Sequence, residues 1–264
     1  MIRPAVHLRP APPAPAGRSS HSGPAQGGPT DRAPGGDRIA AILAATRGPA
    51  VLDVGCTGGL QTDIPLAGSP DWVHQHVRAA FPEVHGIDLA AAKVDFLRQH
   101  GYPAVDVADA QDFDLGRQFD TVLAGELIEH LENPAGFLRA ATRHLRPGGR
   151  IVLTTPYAAG LANVLYAWLK FPRTCSNPEH TMWFCPSTIR VLAQRCGLQV
   201  RRWELLADYP AWGASRTYRT LRRVYLLTGR LLPRWLTANT MLVVLEPAAG
   251  PTAAAGDPPP GSPH

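Results

Sequence analysis

Between residues 37 and 247, short apolar runs alternate with stretches of helical apolar spacing. Residues 37–47 (DRIAAILAATR) carry that helical spacing, with Asp37 placed to cap it. Residues 50–54 form an apolar, β-branched run that stops at Gly55-Cys56-Thr57-Gly58-Gly59, which predicts a strand entering a glycine turn. A helix is expected over 70–81, between Pro70 and Pro82, and a strand over 83–89 that carries Asp88 near its end. A helix over 90–100 closes at Gly101, and a short strand over 104–107 leads to Asp109. A fourth strand spans 119–124. Asn133-Pro134 opens a helix that runs to Leu145, and Pro147-Gly148-Gly149 reads as a turn before a fifth strand over 150–155. A helix over 186–196 and strands over 198–206 and 241–245 complete the series. This rhythm predicts an α/β domain. Its sheet is mainly parallel, with seven strands, helices on both faces and an antiparallel pair at one edge.

Composition limits the folded part. Gly and Pro together are 52 of 264 residues, and residues 1–36 alone hold eight prolines. Residues 1–36 and 248–264 mix Pro, Ala, Gly and Ser without an apolar period, so both are expected to be disordered tails around a domain at 37–247. No apolar run reaches the ~18–20 residues of a membrane span. Prolines stand where a signal peptide needs an apolar stretch, so a cytoplasmic location is expected. The four cysteines contain no CxxC pair and read as reduced thiols.

Charge changes the picture in one place. The net charge is +5, yet residues 214–236 hold six arginines and no acid; without those six the chain carries −1. A general nucleic-acid coating is therefore disfavoured. In the basic stretch Tyr218, Leu221, Tyr225, Leu232 and Trp235 recur near helical spacing, and Gly229 and Pro233 divide it into two short helices. Such a segment either lies on an anionic membrane surface or packs as an insertion over the sheet or pocket. The packed insertion is the favoured reading, and the membrane reading would make the protein peripheral.

The candidate chemistry gathers at strand ends. Glycines after the first strand let a ligand approach the backbone closely. Asp88 can accept from ribose hydroxyls, and Asp109 with the Ala110 backbone can hold a base. All three elements follow strands and so face the crevice where open α/β sheets bind ligands. Separate helix caps and turns are the competing explanation.

VLDVGCTGG, GIDLA, ADAQDF, FDTVLAGELIEHLENP and LRPGGRIVLTTP, in that order, resemble the class I S-adenosylmethionine-dependent methyltransferases. The subgroup that includes the ubiquinone-biosynthesis O-methyltransferases is especially similar. The resemblance covers about residues 37–200. It implies a Rossmann-like, doubly wound fold that binds S-adenosylmethionine through Asp53, Gly55, Cys56, Thr57, Gly59, Asp88, Asp109 and Ala110. Thr57 departs from the glycine usual at its position. Residues 60–72 look like an insertion that caps the pocket or touches substrate.

Glu126-Leu127-Ile128-Glu129-His130 places two carboxylates and an imidazole at i, i+3 and i+4, one face of a helical turn. That donor set suits Mg²⁺, Mn²⁺ or Fe²⁺, with His180 as a fourth ligand. It also resembles the metal site of Hen1-type small-RNA 2′-O-methyltransferases. Alternatively Glu126 orients the cofactor, and His130 is the catalytic base or a buried structural side chain. Cys175, His180 and Cys185 are a weaker set, one ligand short of a structural zinc site. Trp168, Phe171, Trp183 and Phe184 are either a substrate wall or core. The expected activity is methyl transfer to a small-molecule acceptor, at an oxygen. The alternatives are RNA 2′-O-methylation and cofactor binding without turnover.

Overall fold

The computed structural model describes residues 38–60, 71–161, 163, 164, 168, 177–207 and 233–248. Helix α1 (Arg38–Ala45) leads to β1 (Ala50–Val54), α2 (Val73–Ala80), β2 (Glu83–Asp88), α3 (Ala91–Gln99), β3 (Val105–Val107) and β4 (Phe119–Gly125). A 3-10 turn (Ile128–His130), α4 (Pro134–Arg143), β5 (Leu145–Pro156), α5 (Pro186–Arg195) and β6 (Leu198–Leu206) follow. One helical turn (Arg234–Thr237) precedes β7 (Thr240–Pro247).

The strands form one sheet in the order β3-β2-β1-β4-β5-β7-β6. Only β7 is reversed, antiparallel to both β5 and β6. The expected doubly wound sheet is present, and its reversed strand lies one place in from the edge. β1 is buried along its whole length because both sheet faces are covered. Its alternate side chains serve two cores: Leu52 and Val54 pack under α4 and α5 with Phe137 and Ile189, whereas Val51 packs under α1 and α2 with Ile42 and Val77. β1 pairs with β2 on one side and β4 on the other, so chain direction across the sheet switches there. That switch opens a crevice at the carboxyl ends of the strands.

Two boundaries differ from expectation. The register jumps from Phe119↔Leu145 to Thr121↔Arg150, so the Pro147-Gly148-Gly149 turn is a bulge inside β5 rather than a break before it. Gly148 takes φ +78° in that bulge. α4 accordingly stops at Arg143, and Leu145 is buried in the sheet. Its start is as expected, with Asn133 Oδ1 accepting from the Gly136 N–H at 2.9 Å. Asp37, Pro70, the N-terminal tail, residues 61–70 of the insertion, residues 214–232 of the basic stretch and the tail from 249 lie outside the described residues. No helix among the described residues is long and apolar enough to cross a membrane.

Candidate active site

The glycine turn closes onto the end of β2. Gly55 and Gly59 take φ +78° and +79°, a region in which a Cβ is strained. A Cβ on Gly59 would also come within 3.3 Å of the Asp71 carbonyl oxygen. The N–H groups of Gly55 and Cys56 donate to the Ile87 carbonyl at 2.8 and 3.1 Å. The Thr57 N–H and hydroxyl both donate to Asp88 Oδ2, at 2.9 and 2.8 Å. The other oxygen, Oδ1, accepts from the Ala90 N–H at 2.9 Å. Cys56 is buried, and desolvation, then Asp53 and Asp88, pushes its thiol up, away from the reactive thiolate.

Two cavities meet at this turn. One, of about 340 Å³, is lined by Gly55, Asp88, Asp109, Ala110 and His130. The other, of about 390 Å³, is lined by Arg38, Asp53, Gly55, Gly59, Glu126 and His130. Gly55 and His130 belong to both walls. Asp109 is exposed, and its Oδ1 accepts from the Gln111 N–H at 2.9 Å, which fixes the loop after β3. Larger clefts of about 630 and 540 Å³ lie against the amino-terminal ends of β2 and β3 and along the β3 side. The convergent acids face the smaller pair, Asp88 and Asp109 in one cavity and Asp53 and Glu126 in the other.

The ExxEH segment is not one helical face. Glu126 sits before the 3-10 turn at φ +50°. The structure instead brings together Glu129, His130 and His180, with ligand atoms all within 4.8 Å of one another, and Glu126 stands outside that group. The His130 and His180 rings meet edge-on, 4.7 Å between centroids. The His180 segment is fixed there because the Thr181 N–H and hydroxyl donate to the Glu129 carbonyl at 2.9 and 3.0 Å. Burial, then His130, lowers the pKa of His180 and favours its neutral ring. Glu129 is buried. Its Oε2 accepts from the Thr155 hydroxyl at 2.9 Å, while its buried Oε1 has no hydrogen-bond partner among the described residues. Desolvation, then Glu126, pushes its carboxyl up to about 8.

The remaining expectations divide. Phe184 is core at 5% exposure, and Trp168 is 79% exposed. Cys175 and Phe171 lie outside the described residues. Arg38 and His74 are cavity-lining residues that the sequence reading missed, and Trp72 closes the insertion over 60–72 without having been singled out itself. Arg38 and His74 line the 390 Å³ cavity, and Trp72 donates its indole N–H to the Cys56 carbonyl at 2.7 Å. An Arg, a Trp and a His away from any glycine motif carry no local signal. Only the fold brings them to the turn.

This fold is a doubly wound α/β domain whose glycine turn and strand-end acids line the paired cavities at the carboxyl ends of the strands. A family model described as a methyltransferase domain matches residues 31–202, and the chain belongs to that family. It is an S-adenosylmethionine-dependent methyltransferase. A relative from Bordetella avium, a ubiquinone biosynthesis O-methyltransferase, is 26% identical and covers 76% of this chain and 79% of its own. Among solved structures, the CcbJ methyltransferase of Streptomyces caelestis is 17% identical with a TM-score of 0.52, covering 83% of this chain and 94% of that one. A SAM-dependent methyltransferase of Archaeoglobus fulgidus is 18% identical with a TM-score of 0.51, covering 79% and 90%. At these identities the two structures show the shared fold.

Proposed function

We propose that the chain methylates an oxygen of a small-molecule acceptor, with His130 as the proton acceptor. The observation that carries this reading is the position of Gly55 and His130 on the wall shared by the two cavities. The residues fit the cofactor in two halves. Asp88 has roughly four acceptor positions and spends three on Thr57 and Ala90, which leaves one for a ribose hydroxyl. Asp109 and the Ala110 backbone, in the same cavity, hold the adenine. Asp53, Arg38 and the turn Gly55–Gly59 surround the methionine half, with Arg38 facing its carboxylate and Asp53 its ammonium. The reacting centre then falls between the halves, beside His130. When bound there, S-adenosylmethionine would supply an electrophilic methyl on a sulfonium, with the neutral thioether as the leaving group. His130 takes the acceptor hydroxyl's proton on a ring nitrogen as the oxygen bonds to that methyl. The resemblance to an O-methyltransferase supports oxygen as the acceptor atom.

A screen of phenols, catechols and alcohols with labelled methyl donor tests the reading. With an acceptor in hand, His130→Ala is expected to lower kcat about 10²–10⁴-fold while S-adenosylhomocysteine still binds. An unchanged kcat removes His130 from the chemistry.

The buried, unpartnered Oε1 of Glu129 favours a second reading. A carboxylate and two imidazoles suit Mn²⁺ or Fe²⁺, and Mg²⁺ less well because it prefers oxygen ligands, and such a cation would answer the burial of Glu129. Glu129, His130 and His180 would hold it, and its chemistry would be to lower the pKa of the acceptor hydroxyl. His130 would then be a ligand and not the base.

A further inference from the structure

We infer that Trp72 and His74, at the start of α2, are positioning residues that clamp the glycine turn for the methionine half of the cofactor. The inference rests on the proposed placement of that half beside Asp53. Asp53, His74 and Trp72 are all buried, at 3%, 2% and 0% exposure. An ionised carboxylate only accepts, so the 2.9 Å hydrogen bond to Asp53 Oδ2 takes the tautomer with the proton on His74 Nδ1. Trp72 gives its indole N–H to the Cys56 carbonyl at 2.7 Å. One three-residue stretch thus holds the turn on both sides of Gly55. Without His74, Asp53 would be a buried carboxylate lacking this donor, free to take another rotamer at a cost in binding.

The clamp is itself held. The rings of Trp72, His74 and Tyr102 lie in mutual contact, with centroids 5.0 to 5.8 Å apart. The Arg78 guanidinium covers the Tyr102 ring at 4.3 Å and donates to the Gly101 carbonyl at 2.6 Å. On its other side, His74 Cε1 sits only 2.9 Å from where a Cβ of Gly86 would be, so the imidazole fills its slot. Asp53 therefore meets a ligand already oriented, and the ordering is done at folding rather than at binding.

The test compares two ligands of the full-length chain by calorimetry. S-adenosylhomocysteine carries both halves, and 5′-methylthioadenosine carries only the nucleoside half. His74→Leu is expected to weaken S-adenosylhomocysteine about tenfold or more and 5′-methylthioadenosine less than about threefold. His74→Asn, whose amide N–H lies near the place of Nδ1–H, is expected to restore most of the loss. Equal weakening of both ligands, no weakening of either, or equal damage from Asn and Leu overturns the clamp. Should His74→Leu not fold, Trp72→Phe carries the test: it removes the indole donor, and the same ligand contrast is expected. Unchanged affinity in that variant overturns the inference. A wild-type chain that binds neither ligand overturns the cofactor placement itself, and the clamp with it.

Discussion

Thr57 spends both its backbone N–H and its hydroxyl on one oxygen of Asp88, at 2.9 and 2.8 Å. The side chain that replaces the family's usual glycine is thereby tied to the acid expected to read the ribose. Thr57 is 3% exposed, so its hydroxyl hydrogen bond is shielded from water. Thr57→Ala removes that bond and keeps the N–H. Hydrogen bonds to charged groups contribute about 1.5–3 kcal/mol, and thermal or urea unfolding should show a loss of that order. Binding of S-adenosylhomocysteine should be no weaker, because the substitution frees an acceptor position on Asp88. A tenfold weaker Kd would mean that Thr57 touches the ligand directly.

The metal reading makes a separate prediction. Dialysed protein titrated with Mn²⁺ should bind one ion per chain, and Glu129→Gln and His180→Ala should each weaken it at least tenfold. Glu126→Gln should weaken it far less, since Glu126 lies outside the three-residue group. Activity should fall with EDTA and return with Mn²⁺ or Mg²⁺. Activity indifferent to EDTA returns His130 to the role of base.

These two sites differ in how far the chain declares them. Asp53, Asp88 and Asp109 were legible, because each is an acid at or near the carboxyl end of an apolar run: Asp53 one residue before the glycine turn, Asp88 at the end of β2 and Asp109 just past β3. The antiparallel pairing of β6 and β7 was also visible as two late strand runs. Glu126 was misplaced because spacing alone suggests a continuous helix, whereas β4 continues to Gly125 and the chain then turns through φ +50°. The Pro147-Gly148-Gly149 stretch looks like a turn locally; pairing with β4 absorbs it as a bulge. The Asp53–His74 contact joins residues 21 apart across an insertion, and no local pattern encodes it.

Gly86 provides a steric test of the same region. A Cβ there would lie 2.8 Å from Cys56 Sγ and 2.9 Å from His74 Cε1, closer than real Cβ contacts come. Cys56 and His74 are both buried and cannot move out to solvent. Gly86→Ala should therefore destabilise the fold by about 1–3 kcal/mol, read as a drop in Tm. Adding Cys56→Ala removes the Sγ and should recover part of the loss. No recovery would place the strain on His74 Cε1 and on the Cys56 Cβ, which also lies 2.9 Å away and remains in alanine.

His85, on β2, sets a pH dependence of stability that is separate from the active site. Its side chain is 13% exposed, and its Nε2 lies 2.9 Å from Asp106 Oδ2. Burial lowers its pKa from the ordinary 6.5; Arg117 and His74 add to that, and Asp106 opposes without reversing it. Just below pH 6.5 the unfolded chain therefore binds a proton at His85 more readily than the folded chain does. By linkage, stability falls as pH drops from about 7 through the ordinary histidine range toward the folded pKa, and it is regained as pH rises. His85→Gln keeps a hydrogen-bonding partner for Asp106 but does not titrate. Across pH 7 to 5.5, the wild-type Tm should fall more steeply than that of His85→Gln, with the two curves converging in slope above pH 7. Parallel curves throughout would show that His85 takes up its proton equally in both states. A variant that falls more steeply than the wild type would mean that Asp106 outweighs burial and raises the folded pKa.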